Sequence, residues 1–155
     1  MPRSFALVVA LAISLSYPAA AQQISDKEAR QAGENIVQAY NKAGQAKDPA
    51  GLAAVYAKNA ILVMPEGPLV GRAAIEKYFA DAFKVFTLEA AKLDYVRTIA
   101  NGEVMLRVGS FMGSIHGPDG ASRVKGYWAT TDVREDGKWK ILLEEAFRPA
   151  VPGPS

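Results

Sequence analysis

Three turn signals partition the second half of the chain: Asn101-Gly102, Gly117-Pro118-Asp119-Gly120 and Glu135-Asp136-Gly137. Asn-Gly and Asp-Gly steps supply the positive φ that a tight hairpin needs. Between them the residues run with a period of two, which predicts β-strands over 87–100, 103–115, 122–134 and 138–147. Long strands joined by such short turns can only meander antiparallel into one sheet. Both faces of that sheet are apolar. On the second strand Val104, Leu106, Val108, Ser110 and Met112 oppose Met105, Arg107, Gly109 and Phe111. On the third, Tyr127, Ala129, Thr131 and Val133 oppose Trp128, Thr130 and Asp132. On the fourth, Trp139, Ile141, Leu143 and Phe147 oppose Lys140, Leu142, Glu144 and Ala146. A sheet wet on one side alternates more cleanly, so this one is expected to be covered on both.

The first half supplies helices. Ser25-Asp26-Lys27-Glu28 is a capping box, and Ala29, Ala32, Ile36, Ala39, Tyr40 and Ala43 recur at helical spacing behind it. A helix over 25–46 follows. Asp48-Pro49 restarts a short helix, with Leu52, Val55 and Tyr56 as its apolar stripe. Residues 60–64 read as a buried strand, broken by Pro65-Glu66-Gly67-Pro68. Gly71 opens a third helix, whose Ile75, Tyr78, Phe79, Ala82 and Phe83 share a face. Helices first and strands afterwards imply an α+β domain.

The 155 residues suit one domain. Arg3, an apolar run over 5–17 and Ala19-Ala20-Ala21 have the order of a secretory signal peptide over 1–21. Cleavage before Gln22 predicts a periplasmic or secreted protein with no membrane contact afterwards. The domain then occupies 22–147. Pro149, Pro152, Gly153 and Pro154 predict a disordered tail over 148–155.

Several chemistries are excluded. The net charge is +2 and no basic run exists, so nucleic acid is not an expected partner. There are no cysteines and one histidine, His116, in a turn, so no metal site is expected. Phosphate-loop and dinucleotide fingerprints are missing, and no cofactor is predicted. What remains is acid–base chemistry in an apolar pocket. The catalytic candidates are Tyr40, whose phenol can donate a hydrogen bond, Glu144, a carboxyl on a strand face that points at the helices, and Glu66, a carboxyl beside the first strand. Placing Leu142 and Glu144 inward, with Leu106 and Val108, makes Met64, Leu106, Val108, Ser110, Met112, Tyr127, Thr131 and Leu142 the expected ligand-binding wall. A one-residue slip would exchange Glu144 for Glu145. The opposite face, with Trp128, Trp139, Ile141, Leu143 and Phe147, is then the expected surface of a homodimer.

The helix with Tyr40, the Asp48-to-Tyr56 block D-x-x-G-L-x-x-x-Y, the Pro65-to-Arg72 turn P-x-G-P-x-x-G-R and the closing Gly137-Lys138-Trp139-Lys140-Ile141 together resemble the nuclear transport factor 2-like superfamily. Its SnoaL-like branch, which includes domain of unknown function 4440, is the most similar. The resemblance covers nearly all of 26–147. It implies a cone: a curved, mostly antiparallel sheet wrapped around the N-terminal helix, with two further short helices, an apolar pocket and a dimer through the sheet. It also implies isomerase, dehydratase, cyclase or hydratase activity on a small apolar molecule. The isomerase-type site is a tyrosine, a carboxylate base and a neutral acid. Here the tyrosine matches Tyr40, the base falls on Met64, and the acid falls near Thr131. Two of the three roles are thus absent at their usual positions. A ligand-binding protein without turnover, or a dimerisation module, is the alternative.

Overall fold

Ser25 caps the first helix as its spacing predicts. Its hydroxyl accepts from the Glu28 amide, and the Glu28 carboxylate accepts from the Ser25 amide at 3.0 Å. Helix α1 runs Asp26–Gln45. The structure is a computed structural model and describes residues 24–89 and 92–147. The leader expected over 1–21 and the tail expected over 148–155 lie outside the described residues. Asp48 caps α2 (Pro49–Ala53) by accepting from the Gly51 amide at 2.9 Å. Strand β1 (Tyr56–Met64) and strand β2 (Gly67–Val70) form a hairpin, and α3 (Arg72–Val85) follows. The strands β3 (Thr87–Leu88), β4 (Lys92–Asn101), β5 (Val104–Gly117), β6 (Gly120–Glu135) and β7 (Lys138–Phe147) complete the described residues.

The sheet order is β2-β1-β7-β6-β5-β3, with β4 also paired to β5. All pairs are antiparallel except β1 with β7, which is parallel, so the sheet is mixed. It curls into a half-barrel around α1 and α3, an α+β fold with three helices and one sheet among the described residues. The core gathers Leu52, Tyr56, Ile75, Phe79 and Ile141 between helices and sheet.

Three local expectations change. Tyr56 belongs to β1 rather than to the helical stripe. The break at 65–68 is only Pro65 and Glu66, since Gly67 and Pro68 already pair with Met64 and Val63. Pro68 is tolerated there because β2 is an edge strand. The strand expected over 87–100 is two, β3 and β4, lying against the two ends of β5.

The larger correction concerns faces. On β5 the inner residues are Met105, Arg107 and Gly109, all buried, and on β6 they are Trp128, Thr130 and Asp132. Leu106, Val108, Met112 and Tyr127, expected inside, are 48%, 41%, 56% and 61% exposed on the outer face. Ser110 lies opposite Tyr127 and Thr131 opposite Leu106, so both share that outer face. Alternation alone cannot choose between two apolar faces. The choice follows from bulk and charge pairing: Trp128 folds over Gly109, and Arg107 is buried together with its counter-ion Asp132.

On β7 the register breaks. Ile141 opposes Asp132, but Leu143 opposes Thr131, leaving Leu142 as the extra residue of a β-bulge. Ile141 is therefore inward and 3% exposed, while Glu144, opposite Thr130, is inward as well. Leu142 packs against the core.

Candidate functional site

Helices α1 and α3 do not seal the inner face of the sheet. Between them lies a cavity of about 580 Å³. From α1 come Ile36, Val37 and Tyr40; from α3, Tyr78 and Phe79; from the sheet, Met64, Arg107, Phe111, Trp128, Thr130 and Glu144. Most of this lining is apolar and aromatic, and its size is that of an ordinary small-molecule site.

Glu144 is a half-buried carboxyl on this lining. Burial raises its pKa above the usual carboxylate range. A hydrogen bond from the Tyr56 hydroxyl to its Oε2, at 2.7 Å, and the nearby Arg107 guanidinium pull it back part of the way, while Asp132 pushes it up. Tyr56 is wholly buried on β1, so its hydroxyl is held by packing and its phenol is pushed well above the ordinary value by burial and then by Glu144. Tyr40 lines the cavity, with its ring edge-on to Phe79 at 6.4 Å. Burial, followed by Glu144 and Tyr78, raises its pKa too, so it stays a neutral donor across the physiological range.

Beside Glu144 stands a buried ion pair. Arg107 donates from Nε to Asp132 Oδ2 at 2.5 Å and from Nη2 to Oδ1 at 2.9 Å, with side chains 2% and 0% exposed. Burial works against both charges, but the two-pronged contact is that of guanidinium and carboxylate, and Arg107 keeps its proton. Its guanidinium carbon lies 5.4 Å from the centre of the Trp128 ring, and Trp128 Nε1 donates to the Ser110 carbonyl at 3.1 Å. The Tyr95 hydroxyl sits beside Arg107 with no well-formed hydrogen bond.

The structure brings Tyr40, Glu144, Glu66 and Met64 together on one cavity, Glu66 being exposed at its margin. It does not bring Leu106, Val108, Ser110, Met112, Tyr127, Thr131 or Leu142 there. The reason is the inverted face of β5 and β6 and the bulge at Leu142. Sequence reasoning missed Tyr56, Asp132, Trp128 and Thr130 as site residues. One signal was available. The turn at Pro118-Asp119 sets Gly117 against Gly120, and counting back places Arg107 opposite Thr130, next to Asp132 on the same face. A diagonal pair of opposite charges on one face is the mark of a buried pair. His116 is half exposed, its Nε2 2.7 Å from Glu89 Oε1, and that contact lowers the Glu89 pKa. Among the described residues no group of His, Asp or Glu is arranged to hold a metal ion.

Residues 37–141 match the family described as the SnoaL-like domain. No curated protein matches the chain. Among solved structures, a ketosteroid isomerase-like protein from Erwinia carotovora atroseptica is 12% identical, with a TM-score of 0.70 over 82% of this chain and 100% of that one. A function unknown protein from Mycobacterium tuberculosis is 14% identical, with a TM-score of 0.72 over 79% and 77%. A proposed scytalone dehydratase from Novosphingobium aromaticivorans is 17% identical, with a TM-score of 0.62 over 77% and 83%. At these identities the likeness is one of fold.

Proposed function

The chain belongs to the SnoaL-like domain family, and on that premise we propose that it binds a small, largely apolar molecule and carries out isomerase- or dehydratase-type proton transfer on it. The observation that carries the reading is Glu144: a carboxyl on the cavity, held by Tyr56, with its pKa raised by burial. Such a carboxyl keeps its proton until a substrate oxygen takes it. Tyr40 donates a hydrogen bond to the same oxygen as charge develops there. Glu66, at the margin beside the first strand, is the carboxylate we assign to accept a carbon-bound proton. In a dehydration, Glu66 takes the proton, the carbon–oxygen bond breaks, and water leaves with the proton from Glu144. Arg107 and Asp132 form a fixed, internally neutral dipole behind the acid.

The test is turnover of apolar β-hydroxy ketones, with loss of water read by mass spectrometry. Glu144→Gln is expected to lower the rate by about 10²-fold or more, and Tyr40→Phe by about 10-fold, with unchanged circular dichroism. Equal rates in parent and variants would refute the assignment. A second reading is a binding protein without turnover. It is favoured by Met64, which stands where the isomerase-type base is expected, and it predicts ligand binding with no product.

The reading includes a homodimer through the outer face, with altered membership. Trp128 and Ile141 leave the expected surface because both are buried inside, and Trp139 packs partly against the core. Leu143 and Phe147 remain, joined by Val104, Leu106, Val108, Met112 and Tyr127.

A further inference from the structure

We infer that the cavity selects uncharged ligands and rejects anionic ones, so that its natural occupant is an apolar molecule without carboxylate, sulfate or phosphate. This rests on the pocket reading above and adds the charge of what enters. Among the described residues, the acidic and basic side chains lining the cavity are Glu66, Glu89, Glu144 and Arg107. Arg107 is the single cation among these, and it is already spent. Its Nε and Nη2 are committed to Asp132, and its remaining edge faces the Tyr95 hydroxyl and Gly33. An anion reaching it would have to compete with a bidentate carboxylate in a water-poor site. Glu66 and Glu89 are both exposed, so they face a ligand as it enters. His116, whose ring contacts the Glu89 carboxylate, is itself outside the lining. Beside the Glu144 carboxyl, which burial makes harder to ionise and which Tyr56 already engages, the inner end presents the uncharged Thr130 hydroxyl and Tyr40 phenol. An uncharged oxygen can be satisfied there. A carboxylate would meet like charge at the margin and, among the described residues, no free counter-ion inside.

Two fluorescent probes share one apolar frame and differ in one sulfonate: N-phenyl-1-naphthylamine, which is neutral, and 8-anilinonaphthalene-1-sulfonate. The chain has two tryptophans, and Trp128 lines the cavity, so a Trp139→Phe protein reports occupancy through quenching of Trp128. The probes' own emission is read in the parent protein as well, which keeps the measurement valid if the variant folds poorly. The neutral probe is expected to bind at least about 10-fold more tightly than the sulfonate, and a Glu66→Gln, Glu89→Gln protein to narrow that gap by about 3-fold. Added salt should narrow it too. Equal or tighter binding of the sulfonate overturns the charge selection and leaves the pocket reading standing. No saturable binding of either probe overturns both.

Discussion

Glu144 is an acid whose ionisation the fold opposes, and this has a consequence for stability as well as for chemistry. Its folded pKa lies above the ordinary value of 4.5. The folded state thus binds the proton more tightly than the unfolded chain does. The contribution is fully present below about pH 4.5 and is lost as pH rises through the raised folded value. Glu144→Gln removes this titration while keeping the shape of the side chain. Urea denaturation from about pH 4 to pH 8 should show the parent losing more stability than the variant over that range. Parallel curves would mean that Glu144 titrates as it does in water. The same side chain was legible in the sequence as a candidate, and it does lie on the cavity, but Tyr56 was not legible. Nothing in a strand-initiating tyrosine announces that its hydroxyl will meet a carboxyl from the far end of the chain.

At the scale of the element, helices α1, α2 and α3 were legible because caps and spacing are local. Ser25, Asp48 and Pro49 act within a turn of where they stand. Strands β5, β6 and β7 were legible in extent for the same reason, since the turns between them are built from Gly, Asn and Asp. Which way the strands face was not legible. Facing is decided by partners far away in sequence, and here both faces are apolar. The bulge at Leu142 adds a second obstacle, because it sends Ile141 and Glu144 to one side although they are three residues apart. Gly109 is the element-scale key to the inner face. A methyl group there would run into the Asp94 carbonyl oxygen and come within 2.7 Å of the Trp128 ring. The Asp94 oxygen is backbone and cannot swing aside. Gly109→Ala should therefore destabilise the protein by about 2 kcal/mol, read as a lower urea midpoint at unchanged slope. A shift below about 0.5 kcal/mol would show that the strands part easily there.

The whole molecule has one surface that is hard to leave in water. Leu106, Val108, Met112, Tyr127 and Phe147 are each at least 41% exposed on the outer face of neighbouring strands. Soluble monomers rarely carry such a continuous apolar area. A two-fold pairing of this face buries it against itself. Light scattering at micromolar concentration should give twice the monomer mass for the parent, and Leu106→Glu should halve it while leaving the cavity intact. A monomeric parent would sink the homodimer. The parallel contact of β1 with β7 has another effect, on the order in which the protein can assemble. Tyr56 and Glu144 are separated by 88 positions along the chain, and among the described residues β1 has β7 as its only long neighbour. During synthesis, until the residues near position 147 have emerged, β1 has the short hairpin partner β2 and an open edge. Pairings this distant close late, because the intervening chain must first give up its freedom. The cavity and its acid are thus completed by β7, the last of the described strands, and a chain stopped short of it carries the phenol of Tyr56 without the carboxyl it serves.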